Sequence, residues 1–454
     1  MNSKTVWLIA ASALVALAVW PAFFLKRHAD ADAIAFPTPA PVIADYLSRG
    51  RLVAFYEKAV RRNPNDQIMA RMLAGQYLQR YRETGDVGDL SRADRAARRS
   101  LAVQPRYNIG AESELSTIFL TFHENRQALA YAADVSAMEP WNASSKAAVA
   151  SLDMELGDYA AARRILSAPA PRYGNPGWDS ALARYDELTG RLAAARRLID
   201  GAMAQTDSVI DNPAEGRAWY HWRAGQLAFK AGDLDAAEQR YREALAIFPS
   251  YARADDGLAQ LYWGQRRWSE ALDAATRGAD LIPLPTTLGY KADAQRALGE
   301  ARGADETQDL IGAIQRLGNA KGINDRLIAN YYSEHGTRLG DAVAIARRDM
   351  AKRDDIYSED TLAWALAMSG RWTEASPHAE RAVRYGTQDS LLQYHAGMIA
   401  LRRGQRQKAA ARLSMALSLN RYFHPFYAAE AEQALGTLSR FGSVSINFPH
   451  HRTN

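Results

Sequence analysis

In 454 residues there is no cysteine. That excludes thiolate nucleophiles, disulfides and cysteine-ligated zinc or iron–sulfur centres. The loops that cradle nucleotides are missing too. There is no G-x-x-x-x-G-K-[ST] and no G-x-G-x-x-G placed after a strand, and the G-x-S-x-G elbow of serine hydrolases is also absent. None of the nine histidines stands in an H-E-x-x-H arrangement, and the adjacent His450 and His451 lack a convergent third ligand. Carboxylate pairs such as Asp255-Asp256 and Asp354-Asp355 fall where helix starts favour negative charge, so capping accounts for them without acid–base chemistry. No cofactor or metal is expected, and an enzyme is the least supported class.

Charge of one sign is also scarce. The 56 basic and 51 acidic residues leave a formal charge of only +5 over a large surface. The basic runs around Arg92–Arg99 and Arg402–Lys408 could attract phosphate or anionic lipid, yet such runs are ordinarily solvated helix faces. No zinc finger or other nucleic-acid module accompanies them, so nucleic acid is not an expected partner. Alternation of apolar and polar residues is absent before the tail, where Val444, Ile446 and Phe448 could add an edge strand to a partner.

What is present is a period. Gly225, Ala237, Ala244 and Pro249 return as Ala259, Ala271, Gly278 and Pro283, each 34 residues on (259−225, 271−237, 278−244, 283−249). Ala363, Gly370, Ala375 and Ala382 return at the same spacing as Gly397, Gly404, Ala409 and Ala416. Such a period marks stacked helical hairpins. The small residues allow two antiparallel helices to approach, Tyr241 fills the gap between neighbouring hairpins, and proline ends the second helix because it has no amide proton to donate.

This pattern resembles the tetratricopeptide repeat. The resemblance implies an all-α, right-handed superhelical solenoid, and roughly ten units fit the chain. Partial copies occur at Tyr56, Ala59 and Pro64, and at Leu73, Ala74 and Tyr77. The latter unit carries an insertion around Glu83–Asp89. Gly157-Asp158-Tyr159 and Gly190-Arg191-Leu192 mark further turns. The expected organisation is an N-terminal anchor over 1–28, a Pro/Ala-rich linker over 29–44, and an N-terminal array over 45–283. A degenerate repeat or hinge follows over 284–322, then a C-terminal array over 323–436 and a flexible tail over 437–454.

The apolar run Val6 to Leu25 is long enough to cross a bilayer core. We expect an uncleaved single-pass membrane anchor with the array on the extracytoplasmic, periplasmic side. A cleaved signal peptide and export is the alternative, with small-x-small sites at Ala29–Ala31 and Ala33–Ala35. The C-terminal text Leu362-Ala363-Trp364-Ala365-Leu366 and Tyr394-His395-Ala396-Gly397-Met398 resembles membrane-anchored bacterial repeat proteins and implies an envelope context.

In tetratricopeptide arrays the first helix of each hairpin lines the concave face. The resemblance therefore implies partner-binding residues at Trp219, Trp222, Arg223, Gln226 and Phe229, and in the next unit at Arg253, Asp256, Gln260 and Trp263. Large aromatics, arginine and amides suit an interface centre, although aromatic stripes at helical spacing also serve as core. The lysine–asparagine–arginine clamp that some members use on C-terminal carboxylates is missing at Trp222, Gln226, Gly257, Asp360, Trp364, His395 and Met398. The expected function is a non-enzymatic, membrane-tethered scaffold for protein partners. The alternatives are a docking component of a cell-envelope polymer-export or secretion machine, and a periplasmic small-ligand-binding module.

Overall fold

A computed structural model describes residues 45–169, 174–209, 211–318 and 324–440. A short 3₁₀ turn and α1 (Arg49–Arg62) lead into ten hairpins. The first five are α2 (Gln67–Thr84) with α3 (Val87–Val103), α4 (Ile109–Thr121) with α5 (Asn125–Met138), α6 (Ala143–Glu155) with α7 (Tyr159–Leu166), α8 (Pro176–Leu188) with α9 (Leu192–Asp207), and α10 (Ala214–Lys230) with α11 (Leu234–Ile247). The second five are α12 (Ala252–Gly264) with α13 (Trp268–Leu281), α14 (Pro285–Ala297) with α15 (Ala301–Gly318), α16 (Asp325–Glu334) with α17 (Leu339–Lys352), α18 (Ile356–Met368) with α19 (Trp372–Ala382), and α20 (Ser390–Arg402) with α21 (Arg406–Leu419). A lone α22 (Tyr427–Arg440) closes the series, and no strand occurs among the described residues.

The stretch 284–322, where the period fades, contains α14 and α15 packed on their neighbours as a hairpin. The insertion near Glu83–Asp89 is absorbed as helix: α2 and α3 run to 18 and 17 residues, against 13 and 14 in α12 and α13. Gly85, at φ 73°, ends α2, and Asp86 caps α3 by accepting from Gly88 N. One boundary needs correction: α22 runs to Arg440, so the expected tail at 437–454 begins inside a helix. The anchor, the linker up to residue 44 and the Val444–Phe448 alternation lie outside the described residues. Among those described, no helix is long and apolar enough to cross a membrane.

Burial separates inside from outside. In α18 eleven of thirteen residues are buried, whereas α19 buries only Ala375, Ala379 and Ala382 of its eleven. A helix buried nearly all round lies inside, and one with a single apolar stripe lies outside. First helices therefore form the inner wall and second helices the outer one. The joint between hairpins is visible at Tyr241, which is fully buried between α10 and α12. A Cβ on either Gly225 or Gly257 would lie 2.6 Å from its ring, so only glycine admits it on both sides.

Successive turns of the solenoid touch. Tyr159 Oη accepts from Ile356 N at 3.1 Å, 197 residues away, and Leu192 N donates to Gln388 Oε1 at 3.0 Å, 196 residues away. Asn420 Nδ2 donates to Phe229 O at 2.7 Å across 191 residues. At this spacing each hairpin meets the one six positions later. The loops after first helices form the seam. Gly157 and Gly190, at φ 81° and 80°, abut the backbone carbonyls of Asp354 and Gly386, and Gly232 abuts that of Leu419. Each of these glycines is doubly constrained, by a left-handed φ and by a neighbouring carbonyl too close for any side chain.

Candidate functional site on the inner face

Because first helices face inward and the turns close on one another, inner side chains from distant repeats are brought together. Of the nine residues expected to bind a partner, Trp219, Trp222, Arg223, Phe229 and Trp263 are buried. Gln226, Asp256 and Gln260 are half-buried, and Arg253 is exposed. The Trp219 and Trp222 rings lie 6.3 Å apart, and Trp222 meets Tyr251 edge-on at 6.5 Å. The Arg253 guanidinium stands 5.2 Å over Trp222. These tryptophans belong to the core between hairpins, while Arg253, Gln226, Asp256 and Gln260 keep surface on the inner edge of α10 and α12. Asp256 accepts from Thr287 Oγ1 at 2.7 Å, and burial pushes its carboxyl upward.

An ionic cluster holds the middle of the inner face. Glu187, on α8, is paired with Arg223 of α10, with Arg184 at 2.8 Å and with Lys230 at 2.7 Å. Lys230 also reaches Asp389 at 2.7 Å and Tyr357 Oη at 2.8 Å, joining α10 to the start of α20 and to α18. Burial by itself would raise the Glu187 carboxyl. Arg223, Lys230 and Arg184 outweigh it and hold the group well below the usual carboxylate range. Burial opposes the charge of Lys230 in the same way, and Asp389 and Glu187 reverse that effect and raise it.

A second cluster, rich in aromatic rings, occupies the C-terminal turn. Trp263 Nε1 donates to Asp293 Oδ2 at 2.9 Å, and His335 Nε2 meets the other oxygen of Asp293 at 2.9 Å. Tyr427 is sandwiched between His424 at 3.7 Å and Tyr394 at 4.6 Å, while Trp364 stacks on His395 at 4.1 Å and meets Tyr427 edge-on. Burial raises the Glu334 carboxyl to about 7. Asp293 and Asp360 add to the rise, and His335 and His395 oppose it. Burial would lower His335, yet Asp293 and Glu334 raise it to about 9.

Sequence reasoning passed over Glu187, Lys230, Glu334, His335 and Tyr427. No spacing signals them, because their neighbours lie one superhelical turn away. Charged residues on helices buried all round were the only available hint. The carboxylate pairs behave partly as expected. Asp355 caps α18 by accepting from Ser358 N, and it also pairs with Arg326 at 2.7 Å. Asp255 sits in the first turn of α12 and pairs with Arg277 at 2.9 Å. Among the described residues, no group of three histidines or carboxylates is placed to hold a metal.

From the end of α10 through α13, the hairpins also match a known family. Residues 228–281 match the tetratricopeptide repeat. The match covers the stretch where the 34-residue period is clearest, and tetratricopeptide proteins bind protein partners through such arrays. No curated protein matches the chain. Solved structures with similar helical repeats include yeast Tom70, at 12% identity and TM-score 0.33, covering 82% of this chain and 96% of that one. A tetratricopeptide repeat protein from Parabacteroides merdae ATCC 43184 is similar at 16% identity and TM-score 0.34, covering 58% and 99%. The Cut9–Hcn1 hetero-tetramer of the APC/C is similar at 12% identity and TM-score 0.35, covering 86% and 83%. At these scores the neighbours say nothing about what this chain binds.

Proposed function

We propose that this protein is a non-enzymatic scaffold that holds protein partners on its tetratricopeptide array and is tethered to a membrane through the apolar run Val6–Leu25. One observation carries the partner surface. Arg253, Gln226, Asp256 and Gln260 lie on adjacent inner helices of the matched repeats and keep accessible surface, while the tryptophans beside them are buried. An exposed guanidinium backed by an aromatic face suits the centre of a polar interface. The tether reading rests on the length of the apolar run, and the periplasmic placement on its position next to the N-terminus.

The test is in-cell cross-linking of the full chain, comparing wild type with Arg253→Glu and Gln260→Ala. Both variants should lose the captured partner while melting as wild type does, because neither side chain is buried. Capture that survives both changes would remove this edge from the binding surface. A compartment-sensitive reporter fused after α22 tests the tether, with extracytoplasmic activity expected and a cytosolic signal counting against it.

A further inference from the structure

Three polar atoms on the inner face of the C-terminal turn have no hydrogen-bond partner although their residues are almost completely enclosed. They are His395 Nε2, Tyr427 Oη and Trp364 Nε1, on residues that are 3%, 4% and 5% exposed. Leaving such a group unpaired costs about 1–3 kcal/mol each, so three in one cluster call for an occupant. Beside them is Glu334, the last residue of α16. It makes no ion pair, keeps some accessible surface and interacts electrostatically with both His395 and Tyr427. That combination fits a carboxylate facing a narrow lumen.

We propose that the inner face between α16, α18, α20 and α22 binds a primary ammonium group, with Glu334 as counter-ion and His395 Nε2 and Tyr427 Oη as neutral acceptors. His395 Nδ1 lies 3.0 and 3.1 Å from the two oxygens of Asp360. An ionised carboxylate only accepts, so Nδ1 carries the proton and Nε2 presents a lone pair. With an oxygen of Glu334 and the Tyr427 oxygen, that makes three acceptors for the three protons of an ammonium. Trp364 Nε1 is a donor placed beside the Tyr427 hydroxyl, so it serves the acceptor oxygens and not the ligand.

The alternatives fit less well. An anion would face Glu334, Asp293 and Asp360 together. A quaternary ammonium needs free ring faces, but both faces of Tyr427 are covered by His424 and Tyr394, and Trp364 is stacked on His395. The protonated His335 is engaged with Asp293 and the Tyr331 carbonyl and does not neutralise Glu334 by contact.

The ammonium could come from a free alkylamine or from a lysine side chain. Calorimetric titration of the full chain at pH 8 with cadaverine, Nα-acetyl-lysine methylamide and choline separates these cases. Either amine binding at one site supports the proposal, and which of the two binds identifies the source. Choline should bind at least tenfold more weakly. Glu334→Gln should weaken amine binding at least tenfold, and Tyr427→Phe several-fold with no loss of melting temperature, since that hydroxyl has no partner to lose. With its carboxyl at about 7, Glu334 is mostly ionised at pH 8 and mostly protonated at pH 6, so affinity should fall about tenfold between them. Asp293, Asp360, His335, His395 and Tyr427 face the same group and stay unchanged in the Glu334→Gln variant. No binding of either amine, equal binding by Glu334→Gln, or choline binding as tightly as cadaverine would each overturn the proposal. Partner capture at Arg253 is read separately, so the scaffold reading can fail while this one holds.

Discussion

Replacing Gly157 with alanine tests whether the turns of the solenoid are held together at their loops. Gly157 and Gly370 occupy the same place in their repeats, between a first and a second helix, at φ 81° and 77°. Gly157 lies against the backbone carbonyl of Asp354 one turn away, whereas a Cβ on Gly370 would meet nothing within 4 Å. Both substitutions carry the cost of placing an L-residue in the left-handed region, about 1–2 kcal/mol. Only Gly157→Ala adds a backbone clash, which by analogy with overpacking costs about 1–3 kcal/mol more. The difference between the variants therefore isolates the seam from the turn conformation.

Denaturant unfolding followed by tryptophan fluorescence should show Gly157→Ala less stable than Gly370→Ala by that second amount. Small-angle scattering should show a larger radius of gyration for Gly157→Ala alone, because opening the seam loses the Ile356–Tyr159 hydrogen bond beside it. Gly190→Ala, against the Gly386 carbonyl, should behave like Gly157→Ala. Equal stability and equal dimensions for Gly157→Ala and Gly370→Ala would refute the reasoning.

Two further outcomes follow from buried groups. Tyr241→Ala should cost about 3–5 kcal/mol by emptying the joint between α10 and α12, while Tyr241→Phe should stay within about 1 kcal/mol because the hydroxyl has no partner; equal losses in urea unfolding would show that the ring is not the joint. His335 titrates at about 9 in the folded chain against an ordinary 6.5. A raised folded value gives stability that is complete below pH 6.5 and lost as pH rises through 9, so urea midpoints should fall across that window by up to about 3 kcal/mol in wild type and clearly less in His335→Gln.

The 34-residue period was enough to read hairpins, their small-residue joints and the role of Tyr241, because contacts within a hairpin and to the next one are local in sequence. Trp219 and Trp222 could be placed on first helices in the same way. Whether they faced a partner or the core could not be read, since both uses share one helical spacing. The faded period at 284–322 hid the hairpin α14–α15, because helix packing tolerates many apolar sequences that do not keep the signature residues. What only the tertiary structure decided is the return of the chain on itself after six hairpins. The small rotation from each hairpin to the next is set by packing geometry and accumulates over almost 200 residues, so no local pattern records where it closes. That closure put the Gly157 and Gly190 loops against carbonyls one turn away. It also joined Lys230 to Asp389, while the packing of successive first helices grouped Glu334, His395 and Tyr427 around one point on the inner wall.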